Sequence, residues 1–256
     1  MKQSIVKLIE FRSYQESIPK ILDQLNAAKI FKEQKSILLK PNLVNTSFFP
    51  ITTSPEFCKP IIEYIKSCSN ADIIIGEGCG DADYETSEIF TILGYDKLAY
   101  KFNVKLMDLN HEPIVRRKNP ENKIFSEIYL PKIAFEAYII SLPVLKAHSL
   151  ATITGTLKNM IGFAPPKYYK KGGYWKKSSF HKNMHQSIVE LNSFILPDLT
   201  IMDASVGLSQ FHLGGPECDP KINKIIGGFD AVKIDKKAAM LLKLNWKKIN
   251  HIYLQA

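Results

Sequence analysis

An α/β fold, with a mostly parallel sheet, helices on both faces and a ligand crevice at the carboxyl ends of the strands, is predicted by three features of the sequence. Short β-branched and aliphatic runs such as 36–39 (SILL), 72–75 (DIII) and 199–202 (LTIM) alternate with longer stretches of helical period, the pattern of βαβ units around a parallel sheet. Polar residues follow four of these runs directly, where open α/β sheets bind ligands. The 256 residues are 45% hydrophobic and 23% charged, enough apolar material for one large buried core and far from the composition of disordered chains.

Taken in order, strands are expected at 3–9, 36–40, 72–76, 104–108, 137–142, 199–203 and 223–227. Between the first two, residues 14–28 carry Ile18, Ile21, Leu22 and Leu25 at helical spacing. The next helix starts after Ser54, which can cap it, with Pro55 in the first turn and Phe57, Ile61, Ile62 and Ile65 as its apolar stripe. Residues 182–195 repeat the pattern with Ile188, Val189, Leu191 and Ile195, and the last helix follows Asp230 with Val232, Ile234, Ala238, Leu241 and Leu242 facing inward. The whole of 1–256 reads as a single α/β domain, and the sheet can split around 109–135. Within the domain, residues 164–182 form a basic-aromatic loop or lid. There Lys167, Lys170, Lys171, Lys176, Lys177 and Lys182 interleave with Tyr168, Tyr169, Tyr174, Trp175 and Phe180 around Gly172 and Gly173, giving a mobile segment.

Composition narrows the function classes. The opening residues interrupt their apolar positions with Lys7, Glu10 and Arg12, so no signal-peptide core is expected and the cytoplasm is the expected location. No apolar run reaches the roughly 18 residues of a membrane span, so no membrane association is expected. Cys58, Cys68, Cys79 and Cys218 form no C-x-x-C pair, which removes a zinc ribbon or an intrinsic cysteine-rich iron–sulfur module. They read as buried reduced thiols, with Cys79 set apart by its glycine-rich loop. The excess of 34 basic over 25 acidic residues, a net charge of +9, points to an anionic partner.

The strand ends supply the candidate chemistry. Lys40, Pro41 and Asn42 follow the second strand, and Glu77 with Gly76, Gly78, Cys79, Gly80 and Asp81 follows the third. Lys146 and His148 come after Pro143, and Asp203 comes after 199–202. A single lysine at a strand end is ordinarily a solvated boundary residue; four polar strand ends together are the signal. Lys158 and Asn159 sit between Leu157 and Met160 on a short helix, where a buried ammonium needs a partner or a bound anion unless it snorkels to solvent. The glycines at 76, 78 and 80 lack the dinucleotide fingerprint, and a turn explains them equally well, although their amides can add anion donors. His148 is the candidate general acid or base, with Lys146 as its neighbour; a structural histidine is the competing reading. The loop FHLGGPECDP at 211–220 can bring His212, or the amides of Gly214 and Gly215, to the pocket. His181 and His185, four apart on an expected helix, can face one way as metal ligands, and Glu77, Asp81, Asp83, Asp108 or Asp203 can complete such a site.

These residues carry a resemblance. KPNLV at 40–44, TSPEF at 53–57, LPVLKAH at 142–148, TGTLKNMIG at 154–162, His181, IMDA at 201–204, the Gly214-Gly215-Pro216 turn and FDAVKID at 229–235 resemble, in order and spacing, domain-of-unknown-function family 362 (DUF362) over roughly 35–240. The resemblance implies an iron–sulfur association, since many members carry a ferredoxin-like cysteine module, which this chain lacks; a separate electron-transfer partner would then be needed. The His148-to-Lys158 segment is also distantly similar to that of nickel-pincer lactate racemases, which bind a nicotinate-derived cofactor through lysine. That similarity implies a Lys- and His-lined site for an anionic metabolite or cofactor.

The expectation is an enzyme of unassigned reaction class that binds a small carboxylate- or phosphate-bearing molecule. Lys40, Lys146 and Lys158 would hold the anion, His148 would move a proton, Asn42, Glu77, Asn159, Gly214 and Gly215 would line the site, and Asp203 would orient. One alternative is a non-catalytic protein binding a transition metal or an iron–sulfur-associated cofactor through His181 and His185. The other is a nucleic-acid-binding protein whose basic-aromatic loop contacts phosphates and stacks on bases.

Overall fold

A computed structural model describes residues 5–256 of the chain. Its strands are β1 (Val6–Glu10), β2 (Ser36–Pro41), β3 (Asp72–Glu77), β4 (Lys105–Asp108), β5 (Ile114–Lys118), β6 (Glu127–Pro131), β7 (Tyr138–Leu142), β8 (Val144–His148), β9 (Thr152–Thr154), β10 (Leu199–Leu208) and β11 (Lys224–Gly228). Residues 3 and 4 of the expected first strand lie outside the described residues. Nine strands form one sheet whose main path runs β1-β11-β10-β7-β2-β3-β4, with β8 attached to β10 and β9 to β8. From β10 to β4 the neighbours are parallel, whereas β1 and β11 close one side antiparallel. The chain is a mixed, mostly parallel α/β protein.

Alternation along the strands explains the two helical layers. In β2, Ile37 and Leu39 enter one core and Leu38 the other; in β3, Ile73 and Ile75 oppose Ile74; in β10, Leu199 and Ile201 oppose Met202 and Ala204. A strand buried on both faces needs apolar residues at every position, which is why these runs are almost continuously aliphatic. Helices Tyr14–Gln24 and Pro55–Cys68 cover one face, and helices Met184–Asn192 and Ala231–Leu241 the other. The expected caps are present: Ser54 Oγ accepts from the Glu56 amide at 3.2 Å, and Asp230 accepts from the Lys233 amide at 2.9 Å. The segment 109–135 leaves the main sheet, and β5 and β6 pair as a separate antiparallel hairpin.

Two expectations need correction, and one strand was not expected. It follows Pro143. The chain resumes at once as β8, so Lys146 and His148 lie on a strand; Pro143 has no amide to pair, but its carbonyl accepts from the Asp203 amide at 2.9 Å and keeps the chain against β10. Asp203 is not at a strand end, because β10 continues to Leu208. Its first residues pair with β7 and its later ones with β8, with a register shift between Asp203 and Leu208. His181 and His185 do not share a helix: His181 belongs to the 3-10 turn Ser178–Asn183, and Asn183, with φ −145°, separates it from the α-helix holding His185.

Among the described residues no helix is long and apolar enough to cross a membrane.

Candidate functional site

The parallel strands β2 and β3 end side by side, and there Lys40 and Glu77 form an ion pair. Lys40 Nζ donates to Glu77 Oε2 at 2.6 Å and to the Pro41 carbonyl at 2.8 Å, with both side chains buried. Glu77 also accepts from the amides of Leu43 and Gly78 at 3.1 and 2.8 Å. Burial pulls the Lys40 ammonium below its ordinary range while Glu77 supports it. Gly162 lies against this pair, and a methyl group there would overlap the Glu77 carboxylate and sit 2.5 Å from Lys40 Nζ.

A second set of bonds ties the neighbouring strand ends together. Asn159 donates to the Lys40 carbonyl at 3.1 Å and to Ser141 Oγ at 3.0 Å, and accepts from Asn42 at 3.2 Å. Asn42 in turn accepts from Lys146 Nζ at 2.7 Å, and Lys146 donates its next proton to the Ile51 carbonyl at 2.5 Å. Lys146 is pushed down to about 7 by burial and then by Lys158. The short helix Thr156–Asn159 that presents Lys158 and Asn159 is held by Asp235, whose carboxylate accepts from the Thr156 and Leu157 amides at 2.6 and 3.0 Å. Burial raises the Asp235 carboxyl to about 6, against the pull of those amides.

Above this layer opens a cavity of ≈ 330 Å³, within the range of small-molecule sites. Lys40, Asn42, Glu77, His148, Lys158, Asn159 and His181 line it. Lys158 differs from the other lysines. Its side chain is partly exposed into the cavity, and it makes no hydrogen bond or ion pair among the described residues. Burial and the Lys40 charge bring it down to about 8, with Glu77 acting in the opposite sense.

His148 packs its ring on His212, with centroids 3.7 Å apart and planes 14° from parallel. Its Nδ1 accepts from the amides of Leu150 and Ala151 at 3.0 and 3.1 Å. Two donors on Nδ1 place the proton of the neutral ring on Nε2. A second proton is disfavoured by burial, then by Lys158 and His212, so His148 stays neutral. In that state its Nε2–H is available to donate a hydrogen bond. His212 is pushed down to about 3 by burial and then by Lys158, and its Nδ1 is buried without a partner among the described residues.

Other expected residues lie elsewhere. Asp203 is buried against Tyr14, whose hydroxyl donates to it at 2.6 Å, and accepts from the amide and hydroxyl of Ser205; it does not line the cavity. Gly214 and Gly215 stay outside the lining too, but shape the turn that carries Phe211, His212 and Leu213 into it. The Gly215 amide donates to the Phe211 carbonyl at 3.0 Å, and a Cβ there would meet the Phe211 backbone at 2.7 Å. His185 turns to His251, with Nδ1 to Nδ1 at 2.8 Å. The amides of Gly78 and Cys79 are used by Glu77 and by Thr86 Oγ1, at 2.8 and 3.2 Å.

The basic-aromatic segment is tied to the body at two lysines. Lys176 and Lys177 are both buried. Lys177 Nζ donates to Asn110 Oδ1 at 2.9 Å and to the carbonyls of Gly162 and Ala164 at 3.2 and 2.5 Å, while Lys176 donates to the Tyr84 carbonyl at 2.6 Å and pairs with Glu85 at 2.9 Å. Burial lowers Lys177 to about 7. Two of the six lysines expected to face a nucleic acid are thus anchors that fix the loop to the body. Among the described residues, the one group of three metal-ligand side chains with donor atoms within 4.8 Å of one another is Glu85, Asp108 and His111, not the histidines of the cavity.

The family described as a domain of unknown function, DUF362, matches residues 37–240. A thylakoid-associated protein of Synechocystis sp. is 24% identical over 251 residues, covering 94% of this chain and 75% of that protein. Among solved structures, the lactate racemase apoprotein from Thermoanaerobacterium thermosaccharolyticum superimposes with a TM-score of 0.52 at 14% identity. The match covers 97% of this chain and spans 58% of the length of the racemase. The likeness is one of fold.

Proposed function

The chain belongs to the DUF362 family, and on that premise we propose that it is an enzyme whose cavity binds a small carboxylate- or phosphate-bearing metabolite or cofactor against Lys158. The observation that carries this reading is the Lys158 ammonium at the cavity wall, unpaired among the described residues, beside lysines that are already satisfied. Lys40 has Glu77, Lys146 has Asn42 and the Ile51 carbonyl, and Lys177 has three acceptors. A desolvated cation without a counter-charge is destabilised, and an incoming anion relieves that cost while gaining a charge-assisted bond. The Nε2–H of His148 supplies a second, neutral donor. Lys146 and Lys177 are shifted to about 7 but their ammonium groups are held by acceptors, whereas Lys158, shifted to about 8, lines the cavity with no acceptor among the described residues, so the proposed acid–base role moves from His148 to Lys158.

Lactate, named for the structural neighbour, is a small carboxylate and makes a suitable first probe beside inorganic phosphate. Titration calorimetry at pH 7 should detect binding that falls about ten- to a hundredfold in Lys158→Ala, the loss expected for one hydrogen bond to a charged group. Equal affinity in a Lys158→Ala protein with unchanged circular dichroism would refute the reading.

A further inference from the structure

Buried charged and polar side chains and exposed apolar ones line the same cavity. Lys40 is 0% exposed, Glu77 2% and Asn159 3%, beside the buried Leu43 and Met184. The lining also includes large apolar side chains left open to solvent: Leu150 is 50% exposed, Phe211 42% and Trp175 37%. Scattered exposed apolar residues are ordinary, but three from different segments that line one cavity form a patch, and such patches mark binding sites. Each stands on a fixed support. Leu150 follows β8 in the turn whose amides bind His148, Phe211 is set by the Gly215 contact, and Trp175 precedes the two anchoring lysines.

We propose that the cavity selects an amphiphilic anion, with a carboxylate or phosphate head at Lys158 and an apolar body that packs against Leu150, Trp175 and Phe211. This rests on the reading that the cavity takes an anionic head. A head alone would leave the apolar mouth in water, whereas a ligand with a hydrocarbon body removes that surface from solvent and gains affinity with each buried methylene. The mouth thereby discriminates among anions that the buried polar side chains treat alike.

The chain has two tryptophans, and Trp246 lies outside the cavity beneath Lys236, whose Nζ is 4.4 Å from its ring centroid. In a Trp246→Phe protein, fluorescence therefore reports on Trp175 alone. Titration with acetate, butanoate, hexanoate and octanoate below micellar concentrations should show affinity rising about twofold to fourfold per methylene, fourfold being the value for full burial. That slope should flatten in Leu150→Ser/Phe211→Ser. Binding of acetate and phosphate with no chain-length dependence would overturn the amphiphile assignment and leave the anion site standing. A slope that persists undiminished in the double variant would overturn the placement of the apolar body at the mouth. Calorimetry showing no binding of phosphate or of any carboxylate would remove the anion site, and this inference with it.

Discussion

Replacing Glu77 by alanine tests the electrostatic base of the site. The substitution leaves the Lys40 ammonium, 0% exposed, with the Pro41 carbonyl as its remaining acceptor, and strips the amides of Leu43 and Gly78 of their bonds. Removing one partner of a buried ion pair costs about 3–5 kcal/mol, a large part of a stability that is typically about 5–15 kcal/mol. For a chain of this length, each kcal/mol moves the midpoint by about 2–4 °C, so Tm should fall by about 6–20 °C. The loss should also depend on pH. Burial already holds the folded-state pKa of Lys40 below the ~10.4 of an unfolded lysine in the wild type, and loss of Glu77, which opposes that shift, lowers it further. Both proteins therefore gain stability as pH rises, but between the two folded-state values only the variant does, so its deficit is smaller at pH 9 than at pH 6. Urea denaturation at both pH values, with Lys40→Met/Glu77→Leu as the control that removes both charges, separates the terms; the double variant should regain most of the loss. A Glu77→Ala protein within about 1 kcal/mol of the wild type at pH 7 would refute the reasoning.

Three further predictions concern the layers above. Anion affinity should be constant below pH 7 and fall tenfold per pH unit once pH exceeds the Lys158 pKa, about 8 in the free protein and higher in the complex; calorimetry from pH 6.5 to 10 reads this, and a flat profile would remove Lys158 from the anion site. Lys177→Ala should free the 164–182 segment, seen as accelerated limited proteolysis near the exposed Lys170 and Lys171 with a native circular dichroism spectrum. Gly162→Ala should destabilise the protein by about 1–3 kcal/mol in urea, because the added methyl meets Lys40 Nζ and the Glu77 carboxylate and cannot fit without shifting their buried ion pair.

The sheet was legible where strands are covered on both faces. In β2, β3 and β10 the aliphatic run is itself the consequence of burial. Where the pattern broke, the cause was specific. Pro143 reads as a stop because it lacks an amide, yet only its carbonyl is needed to hold the chain against β10. The β5–β6 hairpin carries Arg116, Arg117 and Lys118 in a strand with one weakly covered face, and its residues do not stand out from a loop. The same division runs through the site. Lys40, Asn42, Glu77, Lys158 and Asn159 were visible as polar residues in apolar company, and the structure brings them together at one cavity. The anchoring role of Lys177 was not visible, since a lysine between Lys176 and Ser178 in a basic loop reads as solvated, and its three acceptors come from residues 110, 162 and 164. Asp235 had a local signal, a carboxylate on the inward stripe beside Ile234, but its task of holding another helix depends on contacts remote in sequence.

The length of β10 has an architectural consequence. Its first residues complete the parallel sheet, while its later ones project beyond β7 and carry β8, which in turn carries β9. Lys146 and His148 therefore stand on a bracket cantilevered from one beam. The turn between His148 and Thr152 can thus change that wall of the chamber while the main path of the sheet stays as it is.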